Sequence, residues 1–570
     1  MTTAPTAPPP PSGPGTSGTP AASAAASASR RGVGSFPGGR FVARAAAATA
    51  VLTAAGSFLG LMRDQTIAHL FGAGSDTDAF LVSWTVPEFA ATILIEDAMA
   101  LVLVPAFSLA LSRRAAAGRP DDGPADDPAE DPVRALLAAT LPRLLLALAC
   151  AAGTVALLAP LLVRALAPGL ADPGLAVVCT RLTALTVLGF GTAGYFSAAL
   201  RAHRSFVPPA TIYVAYNLTI ITTVLVLHAR WGVRAAAFGV AAGSVAMVLA
   251  QLPAFWRHLP VRTGRRRPGR RPGARGGAPA PRTAALVAGT VLAPVAVFAL
   301  SRQSQVLVER FLASSLPPGA ISHLNYAQKV AQLPMTFSLL VCTVTFPLVA
   351  RAMADGQTER ARLRVERDLI LAAVVVLLGA AYVIAYAPQI IELLFQRGAF
   401  DAADTGATAS VMRVYAVGLL GHSLAGALVR PFFSTGRPTW YPAGAMAVGL
   451  LLTVVAGALT APHWGVHGIA AANAAGITTT ALLLLHGLRT RMLPIRVRRV
   501  TAGLGRLVLA AAVATAAGWA AAPLVASPLL TALAGGLVVP AAFVVAALAV
   551  RAPEVPTLLT AVTRRFRHVR

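Results

Sequence analysis

The chain has 570 residues, 56% of them hydrophobic and only 12% charged, with a formal net charge of +26. Soluble domains carry about a quarter charged residues, so this composition excludes a soluble globular protein. The positive charge does not point to nucleic acid, because most arginines sit in short segments between apolar runs.

Residues 1–40 are rich in Pro, Ala, Ser, Thr and Gly, which predicts a disordered tail. Apolar stretches then recur at 42–70, 78–112, 134–166, 173–202, 207–229 and 232–256. After a break they resume at 284–313, 320–350, 368–396, 405–434, 440–461, 464–489, 502–524 and 528–550. Each is long enough to cross about 30 Å of hydrocarbon. The reading is an all-α polytopic membrane protein of about fourteen transmembrane helices. A first six-helix bundle covers 41–256 and a basic linker 257–283. A second six-helix bundle covers 284–489, two C-terminal helices lie within 490–552, and a basic tail ends the chain at 553–570.

The linker is largely Pro, Gly and Arg, a solvated tether whose other available role is contact with anionic lipid heads. The acidic loop Asp121–Asp131 reads as a solvated loop. Arginines follow each even-numbered span: Arg113 and Arg114, Arg201 and Arg204, the linker, Arg351 and Arg360, Arg437, Arg489 and Arg491, and Arg564 and Arg565. The loops Gly72–Thr77 and Ser314–Gly319 carry no base. This alternation places both termini in the cytoplasm.

Cys150, Cys179 and Cys342 lie in apolar runs without paired spacing, so neither a disulfide framework nor a metal site is expected. No phosphate-binding loop or nucleophile elbow is present, which argues against an ATP-driven pump or an enzyme, and no cofactor is expected. Arg63, Gly74, Phe80 and Pro87 recur in similar order as Arg310, Gly319, Tyr326 and Pro334. Two similar halves of this kind build a two-bundle transporter around a central cavity.

Ionisable residues inside spans are costly and face a cavity or a partner. The first two spans hold Arg63, Asp64, Asp78, Glu88, Glu96 and Asp97; the seventh and eighth hold Arg302, Glu309, Arg310 and Lys329, with Glu392, Arg413 and Arg430 further on. Arg63 and Asp64 suit either an ion pair with another helix or a ligand contact. Asp78 follows the turn Gly72-Ala73-Gly74-Ser75 and is placed to cap the second helix. Glu96 and Asp97 follow the kink expected at Pro87 and face about 100° apart, so one is paired or neutral while the other suits a proton or cation. Lys329 is the single lysine among 48 basic residues, and suits either a phosphate contact in low dielectric or a snorkelling position.

Several segments carry a family resemblance. Leu59-Gly60-Leu61-Met62-Arg63-Asp64, Phe71-Gly72-Ala73-Gly74, Thr77-Asp78-Ala79-Phe80 and Ile95-Glu96-Asp97-Ala98 resemble the opening of the MurJ/MviN lipid II flippase family. So do Ser322-His323-Leu324-Asn325-Tyr326-Ala327-Gln328-Lys329, Leu394-Phe395-Gln396-Arg397-Gly398-Ala399-Phe400 and Arg430-Pro431-Phe432-Phe433. The resemblance runs over roughly 45–490. It implies two six-helix bundles with two extra C-terminal helices, related to multidrug and polysaccharide exporters. The implied activity is flipping an undecaprenyl-diphosphate-linked peptidoglycan precursor to the outer leaflet by alternating access. By motif position Arg63 and Lys329 would bind the diphosphate, with Asp78, Glu96 and Asp97 in gating or ion coupling.

The implied partners are that lipid-linked glycan, membrane lipids, a coupling ion of unassigned identity and cell-wall synthesis proteins. The chain departs from the family at Ser57, Ala91 and Thr92, where arginines are common, and Glu96-Asp97-Ala98 replaces Glu-Gly-Ala. Those departures leave open a flippase for another lipid-linked glycan, beside a cation-coupled drug exporter and a non-transporting scaffold for envelope synthesis.

Overall fold

The computed structural model describes residues 39–117, 131–258, 282–433, 439–524 and 527–552. Nearly all of the expected N-terminal tail, most of the acidic loop, most of the basic linker and all of the C-terminal tail lie outside these residues. The chain divides into two units, Met1–Val51 and Leu52–Arg570, and the packing below is within the second.

Among the described residues every regular element is a helix. In the first half these are α1 (Gly39–Phe71), α2 (Ser75–Ala91), a π turn (Thr92–Asp97), α3 (Ala98–Ala117), α4 (Pro132–Leu166), α5 (Pro173–Ala184), α6 (Thr186–Ala202), α7 (Val207–Trp231) and α8 (Arg234–His258). The second half has α9 (Arg282–Ala313), α10 (Ala320–Ala331), α11 (Leu333–Ala354), α12 (Thr358–Ala385), α13 (Ala387–Phe395), α14 (Ala402–Val417), α15 (Leu419–Phe433) and α16 (Tyr441–Arg491). Two further helices follow, α17 (Val497–Ala521) and α18 (Pro528–Ala549).

The starts follow local chemistry. Asp131 and Asp172 each precede a proline and accept from Val133 N (3.0 Å) and Leu175 N (2.8 Å), satisfying amides left open at the ends of α4 and α5. Asp401 does the same for Asp404 N before α14. Helix α16 holds two of the expected spans, which meet at Gly465 in a non-helical conformation. Its two arms approach through Gly449, Thr453, Gly476 and Thr480, the small residues that let membrane helices pack backbone to backbone.

All fourteen expected apolar stretches fall on helix. By length and composition nine described helices can cross a membrane, or ten if the bent pair α14–α15 is one span. The expected spans outside that set are those on α1, α9 and α10–α11, which carry Arg63, Asp64, Arg302, Glu309, Arg310 and Lys329.

The C-terminal pair docks on the second half. Tyr382 Oη donates to Ala532 O at 2.9 Å, and the Tyr386 ring lies against Gly518 and Gly535. An apolar groove of about 600 Å³ opens between α10–α13 and α18, with Leu333, Phe337, Leu378, Leu394 and Pro540 in its wall.

Candidate functional site

The two halves meet at the end where α1 joins α2 and α9 joins α10. Backbone meets backbone there: Ala399 N donates to His69 O at 2.8 Å. Gly398 (φ +63°) and Gly319 (φ +95°) adopt left-handed backbone, and a Cβ at either would run into the carbonyls of His69 and Ala73. Asp404 accepts from Ala73 N at 3.4 Å and lies 3.8 Å from His323 Nε2, while His323 Nδ1 pairs with Thr408 Oγ1 at 2.9 Å. This end is closed.

Just inside it lies Asp78. The sequence placed it as a cap for its own helix, but the Gly74 N-cap of α2 receives no side-chain bond. Asp78 sits one turn too far along for that role and caps α10 of the other half instead. It accepts from Gly319 N (2.7 Å), Ser322 N (2.8 Å) and Ser322 Oγ (2.5 Å). A carboxylate at a helix start satisfies orphan amides and meets the positive end of the helix dipole.

Deeper in, Asp64 is held between two cations. Its Oδ1 accepts from Arg63 Nε (3.0 Å) and Nη2 (2.8 Å), and its Oδ2 lies 2.9 Å from Lys329 Nζ. Neighbours on a helix point about 100° apart, so the long Arg63 side chain folds back to reach Asp64. Arg63 also donates to Asn217 Oδ1 at 3.0 Å. Its guanidinium lies 4.6 Å from the Trp84 ring centroid and the Lys329 ammonium 6.0 Å, with Tyr216 and Phe190 packed behind. Both members of the sequence-expected diphosphate pair are therefore together, and Lys329 does not snorkel. Its side chain keeps 29% exposure against 10% for Asp64. Two cations and one carboxylate leave this bridge with a net positive charge.

One helical turn along α2 from Trp84 is a second bridge. Glu88 Oε2 accepts from Arg310 Nη2 at 2.8 Å, and Arg310 also bonds Thr85 Oγ1. Inside the second half, Glu309 accepts from Tyr415 Oη (3.1 Å) and Asn473 Nδ2; Asn473 Oδ1 pairs with His422 at 3.1 Å, and Gln328 donates to Tyr415 Oη at 2.6 Å. Sequence reading marked Glu88, Glu309 and Arg310 as ionisable residues within spans, yet offered no partner for them. Trp84, Asn217, Tyr415, His422 and Asn473 carried no signal, being ordinary residues of apolar helices.

Glu96 and Asp97 end the π turn that follows Pro87 in α2, a feature that often marks functional positions. Their side chains lie outside the described residues. Ser57 turns its hydroxyl to Thr53 O and Thr92 to Glu88 O, each bonding one turn back along the chain. Among the described residues no cluster of three metal-ligating side chains occurs.

The profile of the family described as "Lipid II flippase MurJ" matches residues 67–533. A Burkholderia cenocepacia protein named "Lipid II flippase MurJ" is 27% identical over 463 residues, 78% of this chain and 84% of that one. A Rhizobium meliloti protein named "Probable lipid II flippase MurJ" is 28% identical over 488 residues, 82% and 85% of the two chains. Among solved structures, "Lipid II flippase MurJ, inward closed conformation" superposes with a TM-score of 0.68 at 17% identity, covering 87% of this chain and 97% of that one. An inward-facing multidrug resistance MATE family transporter of the MOP superfamily gives a TM-score of 0.56 at 15% identity, covering 79% and 95%. At these identities the superpositions speak for the fold.

Proposed function

The chain belongs to the MurJ family of lipid II flippases, and on that premise we propose that it carries lipid II, an undecaprenyl-diphosphate-linked peptidoglycan precursor, from the inner to the outer leaflet of a bacterial plasma membrane. The observation that carries this reading is the pairing of Arg63 and Lys329 from opposite halves over Trp84, with one carboxylate between them. A diphosphate in low dielectric needs such a partner, because charge-assisted bonds to phosphate are the strong ones.

In this reading the sealed end faces outward, the arginine-rich loops and both termini face the cytoplasm, and the headgroup enters from the cytoplasmic side. Asp78 acts as gate, and Glu96 and Asp97 are candidates for coupling the cycle to an ion. The first half, residues 52–258, rocks against the second, residues 282–491, with α17 and α18 carried by the second. The groove lined by Leu333, Phe337, Leu378 and Leu394 suits the polyprenyl tail. Membrane potential supplies about 2.3 kcal/mol per charge per 100 mV, enough to bias a cycle that moves a charged headgroup.

The test is complementation of a bacterium whose own lipid II flippase is switched off, with outward-facing lipid II counted. Rescue by the wild type but not by Lys329→Ala supports flipping through the cation pair. Failure of an inserted wild type moves the reading to another lipid-linked glycan, the alternative favoured by the uncharged Ser57, Ala91 and Thr92.

A further inference from the structure

We infer that Arg310 is a second binding residue for the anionic headgroup, held in reserve by Glu88, and that it makes the site selective for a diphosphate over a monophosphate. The inference rests on the flippase reading above and names the part of the headgroup that each cation takes.

Three observations carry it. Arg310 and Lys329 both belong to the second half, on α9 and α10, and both cross to carboxylates of the first half, Glu88 and Asp64. The Lys329–Asp64 bridge places its ammonium 6.0 Å from the Trp84 ring centroid of α2, and Glu88, which holds the second bridge, follows Trp84 by one helical turn. Glu88 remains 24% exposed at its side chain while Arg310 is 5% exposed, so the bridge is open to solvent on the carboxylate's side and Glu88 can be hydrated when it is released. A void of about 10 Å³ beside Arg310, lined by Val306, Asn325 and Gln328, has room for no more than one water, so the exchange requires the halves to part.

The chemistry is an exchange. An ion pair taken out of water recovers its desolvation cost only while the partner stays in place. An anion bridging Lys329 and Arg310 supplies both cations with new partners at once, and Asp64 and Glu88 are released together to Arg63 and to solvent. A single phosphate group satisfies one bridge and leaves the other closed. A diphosphate carries charge on two phosphoryl groups and engages both. Arg310 also bonds Thr85 Oγ1, so its release from Glu88 leaves a neutral acceptor and no orphaned guanidinium.

The experiment is native mass spectrometry of the full-length protein in lipid nanodiscs, titrated with undecaprenyl diphosphate and undecaprenyl monophosphate. The wild type should prefer the diphosphate by about tenfold, the equivalent of one charge-assisted hydrogen bond. Arg310→Gln should abolish that preference by weakening the diphosphate alone, and Arg310→Lys should keep part of it. Glu88→Gln should tighten the diphosphate several-fold by removing the internal competitor. Where Arg310→Gln folds poorly, the double variant Glu88→Gln with Arg310→Gln leaves no buried charge unpaired and should still show no preference. A retained preference in Arg310→Gln, or a loss of diphosphate binding in Glu88→Gln, overturns the inference while leaving the flippase reading intact. A wild type that binds neither probe overturns both.

Discussion

Across their interface the two halves are chemically unlike. The first brings acids, Asp64, Asp78 and Glu88; the second brings the groups that receive them, Lys329, Arg310 and the amides of Gly319 and Ser322. Yet the order Arg63, Gly74, Phe80 and Pro87 is echoed by Arg310, Gly319, Tyr326 and Pro334, with Arg310 standing where Arg63 does. Arg63 spends its charge within its own half on Asp64 and Asn217, whereas Arg310 reaches across to Glu88. In these bridges the second half thus presents a donor face and the first an acceptor face. On the proposed function an anion drawn to the donor face would compete with the acceptor face, making binding and separation of the halves one event rather than two.

The largest effect should come from removing the donor face's exposed cation. Lys329→Ala leaves Asp64 with Arg63 alone and should lower flipping by about a hundredfold or more, in line with about 3–5 kcal/mol for a broken buried pair. Outward lipid II counted in the complemented strain measures it, and Lys329→Arg should restore a substantial fraction. A pair exchange sharpens the point: Asp64→Lys with Lys329→Asp rebuilds the bridge with its polarity reversed. Thermal stability near wild type with flipping still lost would show that polarity, and not bridging, is what matters; restored flipping would break the comparison.

Asp78→Asn should shift the closed state toward opening by about tenfold, because a carboxylate serving three donors loses roughly 1.5–3 kcal/mol on neutralisation. Labelling a cysteine introduced at the buried Ala320 reads this, with faster labelling expected. Gly398→Val should act in the same assay, since a β-branched residue at positive φ costs about 1–3 kcal/mol and meets the His69 carbonyl. The smallest effect belongs outside the interface. Tyr382→Phe removes one bond to Ala532 O and should cost about 1 kcal/mol of stability with flipping retained.

Much of this was legible in the sequence. Apolar length and loop arginines are local signals, and they laid out the helices. The cost of a charge in hydrocarbon picked out Arg63 and Lys329, and the structure brings them together. What stayed illegible was partnership. Asp64 and Lys329 are far apart along the chain, and no local pattern tells a carboxylate which half it will face. Asp78 shows the same gap: its spacing from Gly74 read as a local cap, but the amides it satisfies belong to α10. Glu88 and Arg310 were visible as expensive residues without a visible reason for the expense.

The closed end has a consequence for the environment it endures. Its seams at Gly319 and Gly398 set backbone against backbone, and the acids beside them, Asp78 and Asp404, lean on amide dipoles, contacts that mobile salt screens far less than exposed pairs of full charges. Brine or dilute water at this end should therefore find nearly the same closure. Sensitivity to ionic strength should be greater at the charges deeper in, where Lys329 keeps 29% and Glu88 24% of the side chain exposed.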